Sequence, residues 1–115
     1  MENHAIENAK CWYESICEAI GSGEDALNDL AESVLDVCYR SAWESARGDL
    51  TPAEFYILLT TGGPALRIRG EIDQYGSPCN CIMEWQDWGT PWTEYLDADK
   101  DVLRQFADRL VYAVF

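Results

Sequence analysis

The chain has 115 residues, the length of one domain, and 48% of them are hydrophobic, so it can bury a core and is not a disordered acidic tail. Eight Lys and Arg stand against twenty-one Asp and Glu, a net charge of −13. That balance opposes direct binding to nucleic acid and to anionic membrane surfaces, and favours a basic protein partner reached by electrostatic steering.

No apolar run approaches the length of a bilayer span. The opening MENHAIENAK has no basic stretch followed by an apolar core, which predicts a cytoplasmic protein. Residues 5 to 20 then read as an amphipathic helix. Ile6, Ala9, Tyr13, Ile16, Cys17 and Ile20 follow helical spacing, while Glu7, Glu14 and Glu18 fall mostly elsewhere. Gly21-Ser22-Gly23 ends it, since glycine tolerates a left-handed C-terminal cap.

A second helix is predicted over residues 24 to 46. Ser22 is a candidate N-cap, and Glu24 and Asp25 suit the positive end of the helix dipole. Leu27, Leu30, Ala31, Val34, Leu35, Cys38 and Ala42 form the apolar stripe, and Asp25, Asp29, Glu32 and Asp36 an acidic row. The short glycine link predicts an antiparallel helical hairpin over residues 1–49. This hairpin is the more acidic part, with eleven acids against three bases; residues 50–115 carry ten against five.

Thr51-Pro52-Ala53-Glu54 has the form of a capping box, with Pro at the first helical position. It predicts one or two helical turns running into an extended segment before Gly62-Gly63-Pro64. From Leu66 the pattern alternates. Leu66, Ile68 and Ile72 face one way, and Arg67, Arg69, Glu71 and Asp73 the other, as in a half-buried strand. A turn at residues 74–78 leads to a second strand on which Cys81, Met83 and Trp85 share a face. Gly89-Thr90-Pro91 breaks that strand, and residues 92–96 form a short third one. The result is an antiparallel meander. A last helix is predicted over residues 100–113, capped by Asp97 or Asp99 and burying Leu103, Phe106, Ala107, Leu110 and Val114. The whole is one α+β domain: a helical hairpin, and a meander of about three strands packed against a C-terminal helix.

Chemistry-bearing motifs are sparse. His4 is the one histidine, so Ser/His/Asp and Cys/His constellations are disfavoured. Gly62-Gly63-Pro64 lacks the lysine of a phosphate loop and reads as a tight turn. Five cysteines, an odd number, point to reduced thiols. Cys79-Asn80-Cys81 is a C-x-C pair rather than the C-x-x-C of a zinc site, which leaves a metal as the minor reading. No catalytic residue, metal or cofactor is implied, and the chain reads as a non-enzyme.

Three features allow more than one reading. Trp85, Trp88 and Trp92 are core-capping aromatics, hot spots of a partner surface where exposed, or the wall of a small-molecule pocket. Arg67 and Arg69 pair across strands with Glu84 and nearby acids, or form a small basic recognition patch. The acidic row is a solvated face, or a mimic of nucleic-acid phosphates that enters a Lys/Arg groove.

The block GGPALRIRGEIDQYGSP followed by QDWGTPWTEY resembles one found in small proteins of phages, prophages and plasmids. The likeness spans residues 50 to 115 and rests on Gly62, Gly63, Pro64, Arg67, Gly70, Asp73, Gly76, Pro78 and the run from Gln86 to Trp92. It carries no catalytic role. The resemblance implies a small acidic inhibitor of the anti-CRISPR or anti-restriction kind, acting on a host defence nuclease or nucleic-acid-binding effector. The expected contacts are Glu14, Glu18, Asp25, Asp29, Glu32 and Asp36, with Trp88 and Trp92 beside them. The alternative is a structural or adaptor protein that self-associates, for instance as a homodimer, through the Trp-rich strand region.

Overall fold

The computed structural model describes residues 4–48, 51–61, 64–87 and 89–111. In chain order the elements are α1 (His4–Ser22), α2 (Glu24–Ala31), β1 (Asp36–Ser41), β2 (Pro52–Thr60), β3 (Ala65–Ile72), β4 (Pro78–Gln86), β5 (Thr93–Glu94) and α3 (Lys100–Ala107). The class is α+β. The sheet is an antiparallel meander of five strands in the order β1-β2-β3-β4-β5, two more than the alternation pattern predicts.

Strand β1 lies where helix was expected, and β2 takes in both the expected helical turns and the extended segment after them. Helix α2 stops at Ala31, and the Ser33 hydroxyl donates to the Leu30 carbonyl at 2.6 Å. Cys38 and Ala42 therefore leave the helical stripe. Val37, Cys38 and Tyr39 carry β-favouring side chains, and they extend to pair with Ile57, Tyr56 and Phe55. The capping-box pattern at Thr51 is likewise overridden. Pro52 occupies the first position of β2, where its missing N–H is tolerated, and the FYILL run pairs on both sides. A nine-residue strand between two neighbours satisfies far more backbone than one helical turn would.

The β3–β4 pairing follows the alternation. Leu66, Ile68 and Met83 are fully buried on the face covered by α1 and α3, where they meet Ile16, Leu103 and Phe106. Each such side chain contributes roughly 1.5–3 kcal/mol relative to exposure. The β3–β4 turn is closed by Asp73, whose Oδ1 accepts from the Tyr75 and Ser77 amides, and Gly76 takes φ 81°. Asn80, at φ 50°, sits at a bulge that returns Cys81 to the core face, whereas Cys79 pairs with Glu71 on the other. The C-x-C thiols thus do not point together.

Gly23 joins the two helices at φ 110°, a conformation that favours glycine. Helix α3 begins at Asp99, one of the two expected caps, whose carboxylate accepts from the Asp101 and Val102 amides. It ends at Ala107, earlier than predicted; Leu110 follows in a turn, and Val114 lies outside the described residues. The Asp99 amide donates to the Tyr13 hydroxyl at 3.1 Å, tying α3 to α1. Among the described residues, no helix is long and apolar enough to cross a membrane.

Candidate functional site

Two surfaces carry functional groups. The first is the acidic outer side of α1 and α2. Glu14, Glu18, Asp25 and Asp29 are exposed on these helices, and Glu32 is exposed at the α2 C-cap. Where the helices meet, Glu18 and Asp29 line one shallow groove of about 440 Å³ with Ser15, Ser22 and Ser33. Two carboxylates from different helices thus converge with hydroxyl groups and an apolar floor of Ala19, Ala26 and Leu30. Lys10 is the one Lys or Arg within α1 and α2. Glu24 stands apart, bound by Arg109 at 3.1 Å.

Asp36 does not belong to this row. It opens β1, where its carboxylate accepts from the Val37 amide at 2.9 Å and the Cys38 thiol at 3.4 Å. The break in the helix at Ala31 moves it onto the sheet.

The second surface is the sheet face turned away from the helices. Registers across the strands place Cys38, Tyr56, Arg69 and Ile82 in one row, and Asp36, Leu58, Arg67, Glu84 and Glu94 in the next. Glu84 is the one buried charged residue among those described. Its carboxylate accepts from Arg67 Nε at 2.9 Å and from Arg69 Nε at 3.0 Å. Burying a carboxylate is tolerable here because two guanidiniums satisfy it. The Glu84 hydrogen bond holds the Arg69 guanidinium above its ordinary pKa. The Arg67 guanidinium lies 4.0 Å from the Trp92 ring centroid and 5.7 Å from that of Tyr56. Arg40 pairs with Glu54 at the edge of the same face.

Arg67 and Arg69 thus pair with Glu84 across strands, and their guanidiniums gather on one carboxylate. Trp92 is half-buried and engaged by Arg67. Trp88 lies outside the described residues. Tyr56, Arg40 and Cys38 escaped the sequence reading because a false helix signal covered β1 and a capping-box pattern obscured the start of β2. The FYILL run, rich in strand-favouring residues, was the available signal.

Among the described residues, no three His, Cys, Asp or Glu side chains come together in a way that could hold a metal ion. Burial pushes the Cys81 thiol up to about 11, and the weaker burial of Cys79 raises its thiol as well. Neither is an activated nucleophile, which would require a lowered pKa. Comparison with known proteins gave no matching family model, no matching curated protein and no matching solved structure.

Proposed function

We propose that this chain is a non-enzymatic binding protein that docks a basic protein surface through its acidic helical hairpin. The partner class is a host defence nuclease or nucleic-acid-binding effector, and the outcome is inhibition, as expected of a small acidic protein from a mobile genetic element. The observation that carries the reading is the convergence of Glu18 and Asp29 on one groove, flanked by Asp25 and Glu32. Carboxylates spaced over the helical pair, which itself carries Lys10 as its one Lys or Arg, present a negative field to solvent. A groove that normally receives phosphates would meet it with complementary charge, and association would be fast and salt-sensitive. Asp36 is left out of the contact set because it lies on the sheet.

The test is affinity capture from cells carrying restriction and CRISPR systems, with elution by increasing salt. Recovery of a basic effector subunit that leaves the resin as salt rises supports the proposal. Recovery of the bait alone, at low and high salt, refutes it.

A further inference from the structure

The face of the sheet remote from the helices has no part in the acidic docking surface, and its chemistry is of another kind. Three of the chain's eight Lys and Arg (Arg40, Arg67 and Arg69) gather on it. They line a pocket of about 330 Å³ together with Cys38, Tyr56 and Glu54. That volume falls at the small end of ligand sites, about 300–1,000 Å³.

The guanidiniums are held from outside the pocket. Glu84 accepts from Arg67 through Nε and from Arg69 through Nε and Nη2, and the Trp92 ring lies against Arg67, yet neither Glu84 nor Trp92 lines the cavity. Among the described residues, Arg67 spends only its Nε–H on Glu84, which leaves its terminal amino groups to meet a ligand. A guanidinium fixed by packing and by a carboxylate behind it loses little freedom when it takes two oxygens of an anion through parallel hydrogen bonds. Tyr56 adds a flat ring to the wall. The neighbouring Cys38 thiol pushes the Tyr56 phenol above its ordinary pKa.

The charges also set the valence of the ligand. Arg40 is matched by Glu54, and Glu84 offsets one of the remaining two cations. One positive charge is left on the pocket wall. Asp36 and Glu71 lie at its margins, and the chain as a whole carries −13, so a second negative charge on the ligand would be repelled.

We propose that this face is a binding site for a small monoanion: one delocalised anionic group, carboxylate or phosphodiester, joined to a flat ring. Arg67 and Arg69 take the anionic group and Tyr56 lies against the ring.

The experiment is a titration of ¹⁵N-labelled protein, read at the arginine Nε–H and tryptophan indole signals. Indole-3-acetate and cyclic AMP are the monoanionic probes, and ATP is the polyanionic control. The expected result is a saturable shift at Arg67, Arg69 and Trp92 with at least one monoanion, at a dissociation constant of about 1 mM or tighter. ATP should bind more weakly than cyclic AMP. Response to one monoanion alone assigns the anionic group as carboxylate or phosphodiester. Arg69→Gln should weaken binding by roughly 10-fold or more. Arg40→Gln, outside the Glu84 cluster and exposed, should also weaken it, and serves if Arg69→Gln perturbs the fold. No saturable shift with either monoanion overturns the proposal. So does tighter binding of ATP than of cyclic AMP, or affinity unchanged in both variants. Charge reversal on the helical hairpin leaves this site intact, so its outcome is independent of the docking proposal.

Discussion

Gly70→Ala tests the packing that shapes the sheet. Gly70 sits in β3 directly opposite Phe55 of β2, and both face the helices. A Cβ built at Gly70 would stand 2.8 Å from Phe55 Cε1 and Cζ and 3.0 Å from the Cys79 carbonyl oxygen. Carbon–carbon contacts are optimal near 3.5–4.0 Å, so the shortfall is at least about 0.7 Å. Phe55 is 2% exposed and packed in the core cluster, while the carbonyl belongs to the β4 backbone. Overpacking of this kind costs about 1–3 kcal/mol, and replacing glycine returns about 0.4–1 kcal/mol through the unfolded chain. The net expectation is a loss of about 1–2 kcal/mol, or roughly 4–8 °C in melting temperature for a domain of this size. Thermal unfolding followed by circular dichroism measures it. Adding Phe55→Leu should make the double variant less unstable than the sum of the two single effects. A Gly70→Ala protein that melts at or above the wild-type temperature would refute the packing argument.

Three further outcomes are expected. Asp99→Ala removes the carboxylate that caps α3 and should cost about 1 kcal/mol by urea unfolding, because Leu103, Phe106 and Ala107 dock through that helix. Glu84→Gln weakens the hold on two guanidiniums at once and should cost about 2 kcal/mol. That is less than the ~3–5 kcal/mol of a fully buried pair, since solvent reaches Arg69. The arginine Nε–H signals of Arg67 and Arg69 should broaden or shift together. The raised thiol of Cys81 means that folding favours its protonated form. Its contribution to stability is complete below pH about 9 and is lost as the pH rises toward about 11. Urea midpoints across that window should fall less steeply in Cys81→Ala than in the wild type, and in the folded wild type exposed Cys11 and Cys17 should be alkylated before Cys81.

What the sequence made legible follows from how local each signal is. The β3–β4 pair announces itself because Leu66 and Ile68 alternate with Arg67 and Arg69, Cys81 and Met83 recur two residues apart, and Asp73 and Gly76 mark its turn. Helix α1 and the start of α3 were equally plain, through helical spacing and the Asp99 cap. Strands β1 and β2 were not. Leu30, Val34, Leu35 and Cys38 satisfy helical spacing by coincidence, and Thr51-Pro52-Ala53-Glu54 imitates a capping box. What decides both segments is pairing between residues well apart in the chain, such as Cys38 with Tyr56 and Arg40 with Glu54, which no local pattern records. The candidate sites share that fate. Glu18 and Asp29 come together only through the α1–α2 packing, and Asp36 leaves the acidic row because the helix ends early. Arg67 and Arg69 were visible as a pair, and their partner Glu84 was foreseeable from strand pairing. The pocket they line was not, because Tyr56 and Arg40 come from the two misread strands.

The most direct test of the docking account is charge reversal at the groove. Asp29→Lys with Glu32→Lys changes exposed side chains only and should leave the circular dichroism spectrum and melting curve close to those of the wild type. Binding of wild type and variant to the basic effector recovered by affinity capture would be measured at low and high salt. The account predicts that the variant loses at least about 10-fold in affinity at low salt and that the gap narrows as salt screens the wild-type interaction. Equal affinity of the two proteins at low salt would contradict it.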